Sequence, residues 1–127
     1  MSYPADFKYT KEHEWIKVAG NSGTIGITDH AQQALGDIVF VELPKPGTTI
    51  TAGKSFGTVE SVKAVSDLFA PVSGTITEVN SELSTAPEKV NSEPHQAWMV
   101  KVTLSDPKEV DGLLSAADYE KFAAEES

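Results

Sequence analysis

No cysteine occurs in the 127 residues, which excludes disulfides, thiolate metal sites and cysteine nucleophiles. Any sulfur redox chemistry must then arrive on an attached group. Histidine is scarce too. His13, His30 and His95 lack the helical spacing that presents a metal-binding pair, so capping, packing or surface positions are expected and no metal is. Basic residues are few, 10 against 19 acidic, and the net charge of -9 repels phosphate backbones, which argues against nucleic acid as a partner. Such a surface suits transient docking on basic patches. No apolar run reaches the roughly 20 residues of a membrane span. The opening Met1 to Asp6 has neither the layout of a signal peptide nor an Arg-rich transit pattern. The expectation is a soluble cytoplasmic monomer, or a mitochondrial matrix protein if a leader has been removed. No nucleophile–base pair stands out, so the chain does not read as an enzyme.

What is present is an ordinary globular composition, 39% hydrophobic and 23% charged, enough for one domain over residues 1–127. Short strands dominate. Glu14 to Val18 alternates, Asn21-Ser22-Gly23 supplies a turn, and Thr24 to Ile27 follows. Asp29 is placed to cap a short helix, with Gln32 reciprocal and Gly36 ending it. The apolar run Ile38 to Val41 reads as a strand covered on both faces, broken at Pro44 to Gly47. Further strands are expected at Ser55 to Val59, Ala64 to Phe69, Thr75 to Val79 and Ala97 to Val102, with a polar loop from Ser81 to Pro94. Regular strands between Gly and Pro turns argue for a sandwich or barrel.

The C-terminal stretch, about 106–126, turns helical. Asp106-Pro107-Lys108-Glu109 starts a turn with Pro at the first helical position and Glu109 completing a capping box. Ser115 with Asp118 forms a second box before a helix from Ala116 towards Glu125, with Tyr119 and Phe122 facing the sheets. Gly47 to Ser55 has the look of a phosphate-binding loop. It carries one residue too many between its glycines, and a strand rather than a helix follows it.

The informative stretch runs from Gly57 to Gly74. Two β-like arms flank Lys63 and set it at or beside a hairpin bend, projecting into water on stiff supports. Alone, that is an ordinary solvated lysine. Its surroundings, Glu60-Ser61-Val62-Lys63-Ala64, Ser66-Asp67 and Pro71-Val72-Ser73-Gly74, resemble the modification site of the glycine cleavage H protein family. The resemblance extends to His13-Glu14-Trp15, Gly26-Ile27-Thr28, Leu35-Gly36-Asp37, Val90-Asn91-Ser92, Trp98-Met99 and the Tyr119-Glu120-Lys121-Phe122 helix. Lys89 and the link Pro94 to Ala97 depart from the family pattern.

The resemblance implies a mainly β barrel-sandwich hybrid, a lipoyl/biotinyl-like hammerhead, with short peripheral helices and a C-terminal helix. It implies lipoate held as an amide on Lys63, with Glu60 and Gly74 as recognition candidates for lipoylation. The implied function is a carrier, not an enzyme. It takes an aminomethyl group from a pyridoxal-phosphate glycine decarboxylase to a tetrahydrofolate-dependent aminomethyltransferase, and is reoxidised by dihydrolipoamide dehydrogenase. A lipoate ligase or lipoyltransferase would attach the group. Glu14, His30 and Asp67 are the implied cleft for the loaded arm, while a solvated strand face is the plainer account of Glu14 and Asp67. A lipoyl-relay protein and a lipoyl domain of a 2-oxoacid dehydrogenase complex are the alternatives, although such domains typically carry Asp where Val62 stands.

Overall fold

A computed structural model describes residues 3–126; Met1, Ser2 and Ser127, the ends of the expected 1–127 domain, lie outside the described residues. The strands are β1 (Lys8–Tyr9), β2 (Glu14–Ala19), β3 (Ser22–Ile27), β4 (Ile38–Glu42), β5 (Thr49–Ile50), β6 (Ser55–Ser61), β7 (Val65–Phe69), β8 (Gly74–Val79) and β9 (Val100–Leu104). The helices are α1 (Asp29–Leu35), α2 (Glu82–Thr85), α3 (Lys89–Ser92) and α4 (Ala116–Glu126), with a 3-10 helix over Pro107–Gly112. Two antiparallel sheets result, one in the order β1-β2-β3-β9-β8-β5 and one in the order β4-β6-β7. Neither closes on itself. This is the expected mainly β architecture with small helices at its margins, and no helix among the described residues is long and apolar enough to cross a membrane.

The core lies between the sheets because strand alternation turns one side of each inward. Ile16, Ile25, Ile76, Val100 and Val102 from the larger sheet meet Ile38, Val41, Val59 and Leu68 from the smaller. A second, aromatic cluster holds α4. Tyr119 stacks on Tyr9 with ring centroids 4.8 Å apart, and Phe7 stacks on Trp15 at 4.6 Å. Ser115 starts the helix as expected, its Oγ accepting the Asp118 N–H at 3.2 Å.

Several local expectations are corrected. The β2–β3 turn falls at Gly20 and Asn21, with Gly20 at φ +62°, so Ser22 and Gly23 already belong to β3. Thr28, not Asp29, caps α1. Thr28 is extended and its hydroxyl accepts the Ala31 N–H, whereas Asp29 is already helical and accepts from the Gln32 and Gln33 side chains. Glu109 does not close a capping box, because its carboxylate accepts from Ser73 N–H at 2.7 Å and from Ser73 Oγ at 3.0 Å. Segment 81–94 is not a plain loop. It folds α2 and α3, single turns with no room for periodicity, anchored by buried Leu83 and Val90. The last strand begins at Val100, three residues later than expected.

The largest correction concerns β4. The expected two-sided cover is absent: Val39 is 49% and Phe40 50% exposed, and only Ile38 and Val41 point into the core. β4 is an edge of the three-stranded sheet, and its pairing with β6 shifts register between Ile38 and Phe40.

Gly74 shows how tightly the larger sheet packs. A Cβ there would stand 2.2 Å from the Thr103 carbonyl oxygen, a backbone atom that cannot swing aside. Gly74→Ala should lower stability by about 1–3 kcal/mol through overpacking, read as an earlier urea midpoint. An unshifted midpoint would show that the β8–β9 pair has slack.

Candidate functional site

The hairpin that carries Lys63 is built from β6 and β7, paired at Glu60↔Val65, Val59↔Ser66 and Thr58↔Asp67. Ser61 fastens its tip. Its N–H donates to Ala64 O at 2.8 Å, and its buried Oγ accepts from Ala64 N–H at 3.0 Å and from Lys63 N–H at 3.3 Å. Val62 N–H donates across to Asp37 O at 3.0 Å, which ties the tip to the chain between α1 and β4. Lys63 is exposed, as its position between two β arms predicts. Its stem crosses the end of α1: a Cβ on Gly36 would lie 3.4 Å from Lys63 Cε. The described ion pairs, Lys17 with Asp6 and Lys89 with Glu82, leave Lys63 out.

Sequence reasoning missed the surroundings of that lysine. Phe40, Glu60 and Val65 are cross-strand neighbours on one rung, and Glu42, Thr58 and Asp67 form another rung two residues along. Both rungs face away from the core. Val62 at the tip is 70% exposed and Val65 67%. With Val39 and Phe40 they are the exposed large hydrophobic residues of the described chain, and all four lie near the hairpin or on its sheet. The exposed apolar residues are bordered by the carboxylates of Glu42, Glu60 and Asp67.

Glu60 is therefore an exposed neighbour of the lysine tip. Gly74, the other recognition candidate, is buried in β8, and the close Thr103 backbone already accounts for the absence of a side chain.

The three implied cleft residues are placed differently from one another. Glu14 is 3% exposed. Oε1 accepts from the Thr10 hydroxyl at 2.7 Å and Oε2 from Phe69 N–H at 3.2 Å. Burial pushes its carboxyl up to about 8, against the smaller opposing pull of those two hydrogen bonds. Asp67 is exposed, two residues before Phe69 on β7. His30 packs beside His13, ring centroids 4.3 Å apart, with its buried Nδ1 lacking a hydrogen-bond partner. His13 Nδ1 and Thr28 Oγ1 both lie 2.7 Å from the Tyr119 hydroxyl. A cleft of about 320 Å³ runs past Thr10 and Ala70, but none of Glu14, Asp67 and His30 lines it. Among the described residues no cluster of His, Asp and Glu is arranged to hold a metal ion.

The comparisons with known proteins agree with one another. A family model described as glycine cleavage H-protein matches residues 7–126. The chain is 74% identical over 127 residues to a glycine cleavage system H protein of Koribacter versatilis, covering 100% of this chain and 98% of that one. It is 61% identical over 127 residues to another from Acidobacterium capsulatum, with 100% and 98% covered. A crystal structure of a glycine cleavage system H protein from Mycobacterium marinum matches with a TM-score of 0.86 at 41% identity, covering 98% of each chain.

The buried carboxyl makes stability depend on pH in a defined direction. A folded pKa above the ordinary value means the folded chain holds its proton longer, so stability falls as pH rises between the two values. For Glu14 that window runs from 4.5 to about 8. Within it the group should subtract up to about 1.4 kcal/mol per pH unit. Glu14→Gln mimics the protonated form and should remove that slope, so the variant gains on the parent across the window in urea titrations. Parallel pH profiles would show that Glu14 is not held neutral.

Proposed function

The chain belongs to the glycine cleavage H-protein family, and on that premise we propose that it is a lipoyl carrier, one domain presenting Lys63 Nζ for amide attachment of lipoate. It moves an aminomethyl group between a pyridoxal-phosphate glycine decarboxylase and a tetrahydrofolate-dependent aminomethyltransferase in the cytoplasm, and a flavin-dependent dihydrolipoamide dehydrogenase restores it. It acts as a shared substrate of these enzymes and catalyses none of their steps. The bound group supplies the dithiol chemistry that a chain without cysteine lacks.

The observation that carries this reading is an exposed amine on a fastened hairpin. A ligating enzyme must reach the nitrogen, and Lys63 meets that need because it is exposed on a tip pinned by Ser61, its stem passing over Gly36. Amide formation removes the lysine's charge and sacrifices no described ion pair. The exposed Phe40, Val62 and Val65 beside it give successive partners an apolar surface to grip, and the net charge of -9 favours partners with basic rims.

Glu14 fits the role of holding a cationic guest. A buried carboxyl that ionises when an ammonium arrives exchanges a proton for a partner charge, so the site stays nearly neutral in both states. In this reading Asp67, exposed on the strand whose Phe69 amide bonds Glu14, meets the arm before it reaches the buried carboxyl.

Intact mass from cells that make lipoate should show one lipoyl amide, mapped to Lys63. Lys63→Arg keeps the charge but cannot form the amide, so glycine cleavage should stop while the unfolding free energy from urea titration stays within about 0.5 kcal/mol of the parent. A bare Lys63 in such cells, or an active arginine variant, defeats the carrier reading. Asp67→Ala and Glu14→Ala should each speed loss of the carried group to water without preventing attachment; unchanged decay in both would free these residues of that role.

A further inference from the structure

Val90-Asn91-Ser92 matches the family pattern, yet nothing so far gives Asn91 a task. Its carboxamide makes three bonds to one stretch of chain, from α1 to the start of β4. Nδ2 donates to Gly36 O and to Gln32 Oε1, both at 2.9 Å, and Oδ1 accepts the Ile38 N–H at 2.8 Å. Both amide protons are used, and only a group with two donors and an acceptor can do all three. The side chain itself is firmly rooted, because its neighbour Val90 is fully buried and α3 closes with Glu93 N–H on Lys89 O at 2.8 Å.

What Asn91 holds is the segment that holds the lysine tip. Gly36 has φ +82°, where the chain leaves α1, and Lys63's stem lies across it. Asp37 O receives the Val62 N–H, and Ile38 pairs with Ser61. The line of contacts therefore runs from α3 through Asn91 to residues 36–38, and from there to residues 61–63. The segment passes between its two bonded flanks, so releasing it would free the tip on the side that Ser61 does not fasten.

We propose that Asn91 is a positioning residue for Lys63, setting where the modifiable amine stands for the enzyme that acylates it; this rests on the carrier reading above. A tip already ordered costs the acylating enzyme less on docking than one it must order itself.

The test uses the full-length unmodified chain and two variants. Asn91→Asp keeps the acceptor for Ile38 but turns a carboxylate on two oxygens; Asn91→Ala removes all three bonds. With an ATP-dependent lipoate ligase, KM for the carrier should rise about three- to tenfold in both, with kcat nearly unchanged. Amide exchange at Val62 should quicken in the same variants while exchange at Val102, deep in the core, stays as in the parent. Unchanged KM, or equal quickening at Val62 and Val102, overturns the proposal, since the second result marks general loosening. Should both variants fail to fold, Gln32→Ala, which takes away one leg of the clamp, is expected to show the same pattern more weakly, and its absence there also overturns the proposal. If the ligase leaves the parent unmodified, the carrier reading fails instead, and Val62 exchange still reports on the clamp.

Discussion

Pairing of β6 with β4 on one side and β7 on the other is the constraint on which the rest depends. It makes β6 the centre of a small sheet, and alternation then sorts every residue near the tip. Val41, Val59 and Leu68 go into the core, while Phe40, Glu60 and Val65 go outward as one rung. A mobile arm is useful only on an immobile root, because motion of the root would add to the ordering each partner must impose. The buried side of the sheet supplies that root. The Ser61 bonds finish it, since a bend between two well-paired strands still needs its own backbone groups satisfied.

Sequence reasoning read the Lys63 hairpin better than its setting. The hairpin around Lys63 was legible because two β-like runs, Ser55 to Val59 and Ala64 to Phe69, are joined by only four residues, a local pattern. The Ile38–Val41 run misled because four apolar residues in a row fit a doubly covered strand. Here two of them, Val39 and Phe40, lie on an exposed surface near the lysine hairpin, which breaks the local rule. α2 and α3 escaped for a different reason. Each is one turn long, so no period exists to be read, and what fixes them is the burial of Leu83 and Val90 in the core, α2 lying against β4 and α3 against α1. Asn91 lies beyond local pattern altogether, its three partners standing 53, 55 and 59 positions away.

Glu14 and Lys63 are treated in opposite ways, and the contrast is informative. Lys63 stands in water on the outside of its hairpin. Glu14 is taken out of water with only two hydrogen bonds for company, and burial outweighs them in setting its protonation. Neither Thr10 nor the Phe69 amide brings a positive charge. A buried carboxyl left without a cation is costly to ionise, and a resident lysine or arginine would have removed that cost. None of the described ion pairs includes Glu14, so the fold keeps that cost.

An apolar surface next to a solvent-facing hairpin would ordinarily invite the sheet edge to pair with a second copy. Three features of the same rungs oppose that. Glu60 sits between Phe40 and Val65, so any chain laid across the rung must bury a carboxylate. Glu42 and Asp67 flank Thr58 two residues along, placing like charges where a second copy would bring its own. The register shift between Ile38 and Phe40 also breaks the straight edge of β4 that strand addition requires. A partner with basic groups is spared the first two penalties. Charge and the broken edge therefore act together against edge-to-edge pairing on this patch of sheet.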